Sequence, residues 1–124
     1  MARILVIDDE EPIRRLLCKF LQGANYEVIQ AGNGREGIQE CNRNPVDLVI
    51  TDIIMPDGEG FETILQLRRS QPNLKIFAMS GAATAMNLDI LRIASSFGAS
   101  RTFEKPFLLA DILSAVREEV PLPQ

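Results

Sequence analysis

The sequence predicts an α/β domain, a parallel sheet covered by helices on both faces. Short apolar runs and stripes of 3.6-residue period alternate five times along the chain. Strict β–α alternation at this element length implies parallel strands joined by right-handed crossovers. No repeat, low-complexity tract or linker interrupts it.

The first strand is expected at Ile4-Leu5-Val6-Ile7, the others at 26–29, 48–51, 76–79 and 101–103, the last carrying the weakest signal. The first helix opens at Glu11-Pro12, because proline suits the first helical position. It places Ile13, Leu16, Leu17, Phe20 and Leu21 on one stripe and ends at Gly23. The second helix is expected over 34–42. The third, over 60–70, turns Phe61, Ile64 and Leu65 inward and stops before Pro72. In the fourth, 85–97, apolar residues cover more than half the circumference, which reads either as a generously buried helix or as a partly exposed partner-binding patch at Leu88 and Leu91. The last carries Leu109, Ile112, Leu113, Val116 and Val120 and is broken by Pro121.

With 124 residues the chain is expected to form one domain, residues 1–124, large enough to close a single core. Its net charge of −4 and lack of a basic stripe argue against direct nucleic-acid binding. No apolar stretch approaches the roughly 20 residues of a membrane span, and the start lacks the features of a signal peptide. Cys18 and Cys41 read as reduced thiols, so a cytoplasmic protein with no membrane partner is expected. Histidine is absent. Any histidine chemistry must come from another chain.

The chemistry gathers at strand ends. Asp8 and Asp9 end the first strand, Asp52 the third, Ser80 the fourth, and Lys105 follows the fifth. Parallel strands converge their carboxyl ends on one rim, where such folds place ligands. Clustered carboxylates favour a hard cation, and Mg²⁺ is the usual choice where a phosphate shares the site. Glu10 and Glu11 read as helix-start residues, and Arg14, Arg15, Arg68 and Arg69 as solvated helix faces.

Four segments taken in order, Asp8-Asp9, Asp52-Ile53-Ile54-Met55-Pro56-Asp57-Gly58, Ser80-Gly81-Ala82 and Phe103-Glu104-Lys105-Pro106-Phe107, resemble the receiver domain of two-component response regulators of the chemotaxis type. The resemblance implies a flavodoxin-like doubly wound sandwich with five helices and strand order 2-1-3-4-5. It implies Asp52 as phosphoryl acceptor, with Mg²⁺ held by Asp9, Asp52 and the Ile54 backbone carbonyl and by Asp8 through water. Lys105 and Ser80 would contact the phosphoryl oxygens, and the Lys105–Pro106 bond would be cis. Ser80 and Phe103 would then act as a switch that remodels the face of the fourth helix, fifth strand and fifth helix. Such a protein is not an enzyme beyond its own phosphorylation and dephosphorylation. The implied partners are a histidine kinase or phosphotransfer protein, a downstream target, and a second copy docked through the same face.

Ile54 and Ala82 are apolar where chemotaxis-type receivers carry polar residues that orient attacking water, so slow self-dephosphorylation is expected. A flavodoxin is disfavoured because Asp8-Asp9-Glu10-Glu11 would repel FMN phosphate. An aspartyl-phosphate phosphatase would need an Asp-x-Asp-x-Thr pattern that this segment lacks. A receiver retained only as a binding module conflicts with the complete residue set. A relay intermediate, or a module of a longer regulator, remains an alternative.

Overall fold

The computed structural model describes residues 2–55, 60–81 and 84–122, without the side chains of 84–88. Pro56, Asp57, Gly58 and Ala82 of the motifs, and the Leu88 side chain, lie outside the described residues. The elements run β1 (Arg3–Ile7), α1 (Glu11–Gly23), β2 (Glu27–Ala31), α2 (Gly34–Arg43), β3 (Leu48–Asp52), α3 (Gly60–Ser70), β4 (Lys75–Ser80), α4 (Thr84–Phe97), β5 (Arg101–Glu104) and α5 (Leu109–Glu119). All pairings are parallel, in the order β2-β1-β3-β4-β5. The expected fold class and strand order are those observed.

The central strands read as continuous apolar runs because both of their faces are covered. Ile4 and Val6 of β1, Leu48 and Ile50 of β3, and Phe77 and Met79 of β4 join the core on the α1/α5 side. Leu5, Ile7, Val49, Ile76 and Ala78 join the opposite core with α2, α3 and α4. Successive side chains thus feed alternate layers, which fixes the register of each strand. The edge strands β2 and β5 are only partly buried.

Local chemistry sets the boundaries. Proline stands at the start of α1. At α2 the Asn33 Oδ1 accepts from the Glu36 backbone N–H at 2.8 Å, and Glu36 reaches back to accept from the Gly32 N–H at 3.1 Å. The first bond satisfies a backbone donor that the helix leaves free, and the second ties down the residue before the cap. α1 ends at Gly23, but the left-handed residue after it is Asn25, at φ 74°. Tyr26, expected to open β2, instead lies just before it with its ring in the core. Its hydroxyl donates to the Val120 carbonyl at 2.8 Å. β2 begins one residue later and runs on to Ala31 because every residue of β1 has a partner there.

Two helix faces differ from expectation. Leu16 is 57% exposed although it belongs to the periodic stripe of α1, because Leu17, Cys18 and Leu21 already fill the space against the sheet. On α4, among the described side chains, Leu91 is partly buried against the core, and the exposed large apolar residues are Ile93 and Phe97. The Phe97 ring meets Phe61 of α3 edge-on at 5.6 Å. Arg68 is not simply solvated: its guanidinium donates to the carbonyls of Pro72 and Gly98, each at 2.7 Å, tying α3 to the end of α4. Gly98 takes φ 121°, where a side chain would be strained and would press on Arg68.

Candidate functional site

β1 and β3 are sheet neighbours whose following helices lie on opposite faces, so a crevice opens at their carboxyl ends. Asp8, one residue past β1, is fully buried; Asp52, the last residue of β3, is 2% exposed; Ser80 closes β4 and is fully buried. Lys105 follows β5, and its backbone N–H donates to the Ser80 carbonyl at 2.8 Å. The Lys105–Pro106 peptide bond is cis.

The Lys105 ammonium lies among three carboxylates. Its Nζ is 3.1 Å from Asp8 Oδ2, 3.1 Å from Glu10 Oε1 and 3.3 Å from Asp52 Oδ2. The Asp8 Oδ1 accepts from the Glu10 backbone N–H at 2.9 Å, and Arg14 donates to the Asp8 carbonyl at 2.8 Å and to Gln30 Oε1 at 3.1 Å. Arg14 therefore braces the end of β1 against β2. The solvated-face reading of this residue is corrected. The signal was weak, since one arginine on a helix surface carries no mark of the strand it will reach.

Burial pushes the Asp52 carboxyl up to about 6; Lys105 opposes this, while the charges of Asp8 and Asp9 add to it. For Lys105, burial alone would lower the pKa, but Asp52, Asp8 and the hydrogen bonds to Asp8 and Glu10 outweigh it and hold the group charged. Asp52 Oδ1 is the buried side-chain polar atom without a hydrogen-bond partner among the described residues. Such an orphan is costly unless something that is not protein completes it. A divalent cation fits: Asp8, Glu10 and Asp52 offer oxygens within 4.8 Å of one another.

Asp9, expected as a direct ligand, is exposed and outside that group, though its charge reaches Asp52. Ile54 projects an alkyl side chain, 48% exposed, two residues beyond Asp52. Phe103 is half-buried on β5, its ring 5.4 Å from that of Phe77. Glu10 is the site residue that sequence reasoning missed. Its place before a proline gave a helix-start signal that masked the second use of its side chain. Beside Lys105 a groove of about 390 Å³ opens between α1 and the chain after β5, with Ile13, Leu16, Pro106 and Phe107 on its walls.

Comparison with known proteins gives the same picture. Residues 4–117 match the family model described as the response regulator receiver domain. The chain is 33% identical over 119 residues to the response regulator receiver protein CpdR of Brucella abortus, covering 95% of this chain and 96% of that one. It is 29% identical over 120 residues to sporulation initiation phosphotransferase F of Bacillus subtilis, covering 97% and 94%. Among solved structures, response regulator protein TrrA of Thermotoga maritima, in complex with Mg(2+)-BeF, superposes with a TM-score of 0.84. Its identity is 33%, over 97% of this chain and all (100%) of the other. The acidic cluster of the present chain is consistent with the phosphorylation site of such proteins. A sheet that brings two buried carboxylates and a lysine to its switch point, matched along nearly the whole chain, places this protein in the response regulator receiver domain family of two-component signalling.

Proposed function

We propose that the chain, 1–124 as one receiver domain, is a phosphorylation-controlled switch in which Asp52 accepts a phosphoryl group from a phosphohistidine. The donor is a histidine kinase or phosphotransfer protein, because this chain has no histidine of its own. The observation that carries the reading is the state of Asp52: buried, with one oxygen on Lys105 and the other without a partner among the described residues. In the transfer the P–N bond of the donor breaks with its electron pair going to the imidazole, and an O–P bond forms on Asp52. A carboxylate is a weak nucleophile, so alignment and charge stabilisation do the work rather than a base.

Bound Mg²⁺ would neutralise charge on the phosphoryl oxygens. Asp52, Asp8 and Asp9 and the Ile54 carbonyl are the residues proposed to hold it, Asp8 through water. Lys105 and the Ser80 hydroxyl stabilise the phosphoryl oxygens. Engaging Ser80 draws on the chain entering α4, and Phe103 turns inward, remodelling the α4/β5/α5 face for a downstream target. Inverting a 1:99 population needs about 5.5 kcal/mol. Two charge-assisted contacts of roughly 1.5–3 kcal/mol each supply much of that. Docking on this face, by a target or by a second copy of the chain, belongs to the same proposal; the exposed Ile93 and Phe97 do not bear on it, since Phe97 packs on α3. Action in the cytoplasm is part of this proposal; no described helix is long and apolar enough to cross a membrane. Likeness to a phosphotransferase along its whole length favours, as a second reading, a relay step in which Asp52 passes its phosphoryl group on.

Intact-protein mass after incubation with acetyl phosphate and Mg²⁺ tests the proposal. One phosphoryl group is expected on the wild type, none on Asp52→Asn and none with EDTA. A modified Asp52→Asn would overturn the assignment.

The lifetime of the phosphorylated state is the next expectation. The Ile54 alkyl group gives attacking water nothing to bond to, so loss of phosphate should be slow and Ile54→Asn should speed it several-fold. A wild type that loses phosphate as fast as Ile54→Asn would sink this reading.

A further inference from the structure

Glu10 stands at the N-cap position of α1, yet its side chain makes no capping hydrogen bond. Acidic side chains at a helix start ordinarily serve the free N–H groups there. This one goes to Lys105 instead, at 3.1 Å. An ammonium group has three N–H donors. All three are matched one for one by Asp8, Glu10 and Asp52.

When Asp52 is phosphorylated its negative charge passes to the phosphoryl oxygens, and the donor it held can follow; a second donor reaches those oxygens only if Asp8 or Glu10 gives one up. Asp8 is buried and remains a carboxylate, and a buried carboxylate oxygen stripped of its donor bears the full desolvation penalty. The Glu10 side chain is 54% exposed, so water replaces the ammonium at little cost. Glu10 is the exchangeable partner. Its backbone does not need to move in the exchange, being held by the Asp8 Oδ1 and by the carbonyl bond to the Arg14 N–H at 3.0 Å.

Resting on the reading that Asp52 is the phosphoryl acceptor, we propose that Glu10 is a positioning residue, a latch that competes with phosphoryl oxygens for Lys105. It holds the resting site closed on itself and weakens the hold on an incoming phosphoryl group. Removing its charge while keeping its shape should release the third donor of Lys105.

The test is calorimetric binding of beryllofluoride, a phosphoryl mimic, at saturating Mg²⁺, to wild type, Glu10→Gln, Lys105→Gln and the double variant, with Mg²⁺ affinity measured separately. Glu10→Gln is expected to bind beryllofluoride about two- to five-fold more tightly, the range set by a partly exposed ion pair. The gain should vanish in the Lys105→Gln background, because the latch acts only through Lys105. Unchanged affinity in Glu10→Gln, or a gain that persists without Lys105, would overturn the latch while leaving the acceptor site intact. Weaker binding of both Mg²⁺ and the mimic by Glu10→Gln would also overturn it, making Glu10 part of the cation site. A wild type that binds neither would bring down the acceptor reading and the latch together.

Discussion

Asp52→Asn should make the protein more stable, not less, in the absence of divalent cations at pH 7.5. The folded protein holds the Asp52 proton more tightly than an unfolded chain does, its carboxyl being raised from 3.8 to about 6 chiefly by burial. The stability associated with the protonated form is therefore present at low pH and is lost as pH rises from about 4 to about 6. Above that window the ionised carboxylate is a standing cost. The full shift, in which the Lys105 attraction is already included, corresponds to about 3 kcal/mol, and asparagine, which never ionises, is expected to gain about 1–3 kcal/mol. Lys105 keeps Asp8 and Glu10 as partners. Urea unfolding between pH 4.5 and 8 checks both parts: the gain at pH 7.5, and a shallower loss of stability between pH 4.5 and 6 in the variant. Adding Mg²⁺ should stabilise the wild type more than the variant, because the orphaned Oδ1 is where a cation has most to offer. A variant less stable than wild type at pH 7.5 would mean that Lys105 dominates and that Asp52 is a structural ion pair.

Gly60→Ala should be among the most damaging single-methyl substitutions in the described chain. A Cβ on Gly60 would lie 2.0 Å from the Ile53 carbonyl oxygen and 2.5 Å from the Ile53 Cα. Those are backbone atoms just past β3, so no rotamer change relieves the clash. Either α3 moves away from the sheet or the Ile53–Ile54 backbone does, and the second displaces the carbonyl proposed to hold the cation. A loss of about 2–4 kcal/mol is expected, with a fall in thermal midpoint of more than about 6 °C. Gly37→Ala offers the comparison. There the added Cβ meets the Ile7 side chain, at 2.3 Å from its Cδ1, and a side chain can turn aside where a carbonyl cannot. Denaturant unfolding of the two variants should show the larger loss in Gly60→Ala and, from calorimetry, weaker Mg²⁺ binding there alone. Equal losses would mean that the α3 start adjusts freely.

Most of the fold was legible because its signals are local. The central strands are unbroken runs of Ile, Leu, Val, Phe and Met, and Pro12, Gly23 and Pro72 punctuate the helices between them. Boundaries slipped where partners rather than residue types decide. Gln30 extends β2 because Val6 lies opposite it, and Tyr26 leaves the strand because its ring finds the core and its hydroxyl finds Val120. Leu16 obeyed the period of its helix yet stayed exposed, since periodicity names a face but not how much of that face the sheet can cover.

Readable from the residues alone were the α/β alternation, the delivery of Asp8, Asp52, Ser80 and Lys105 to strand ends, and the absence of any histidine to supply the phosphoryl group. Those follow from residue type and spacing, which the chain carries without folding. Tertiary structure alone decided that Glu10 turns from its helix to Lys105, that Asp9 faces solvent while Asp8 is buried, and that Arg14 and Arg68 are braces rather than surface charges. The bonds of Glu10 to Lys105, of Arg14 to Gln30 and of Arg68 to Gly98 join segments distant along the chain. Lys105 lies 95 residues from Glu10, and only closing the sheet places an ammonium group where it must choose among three carboxylates.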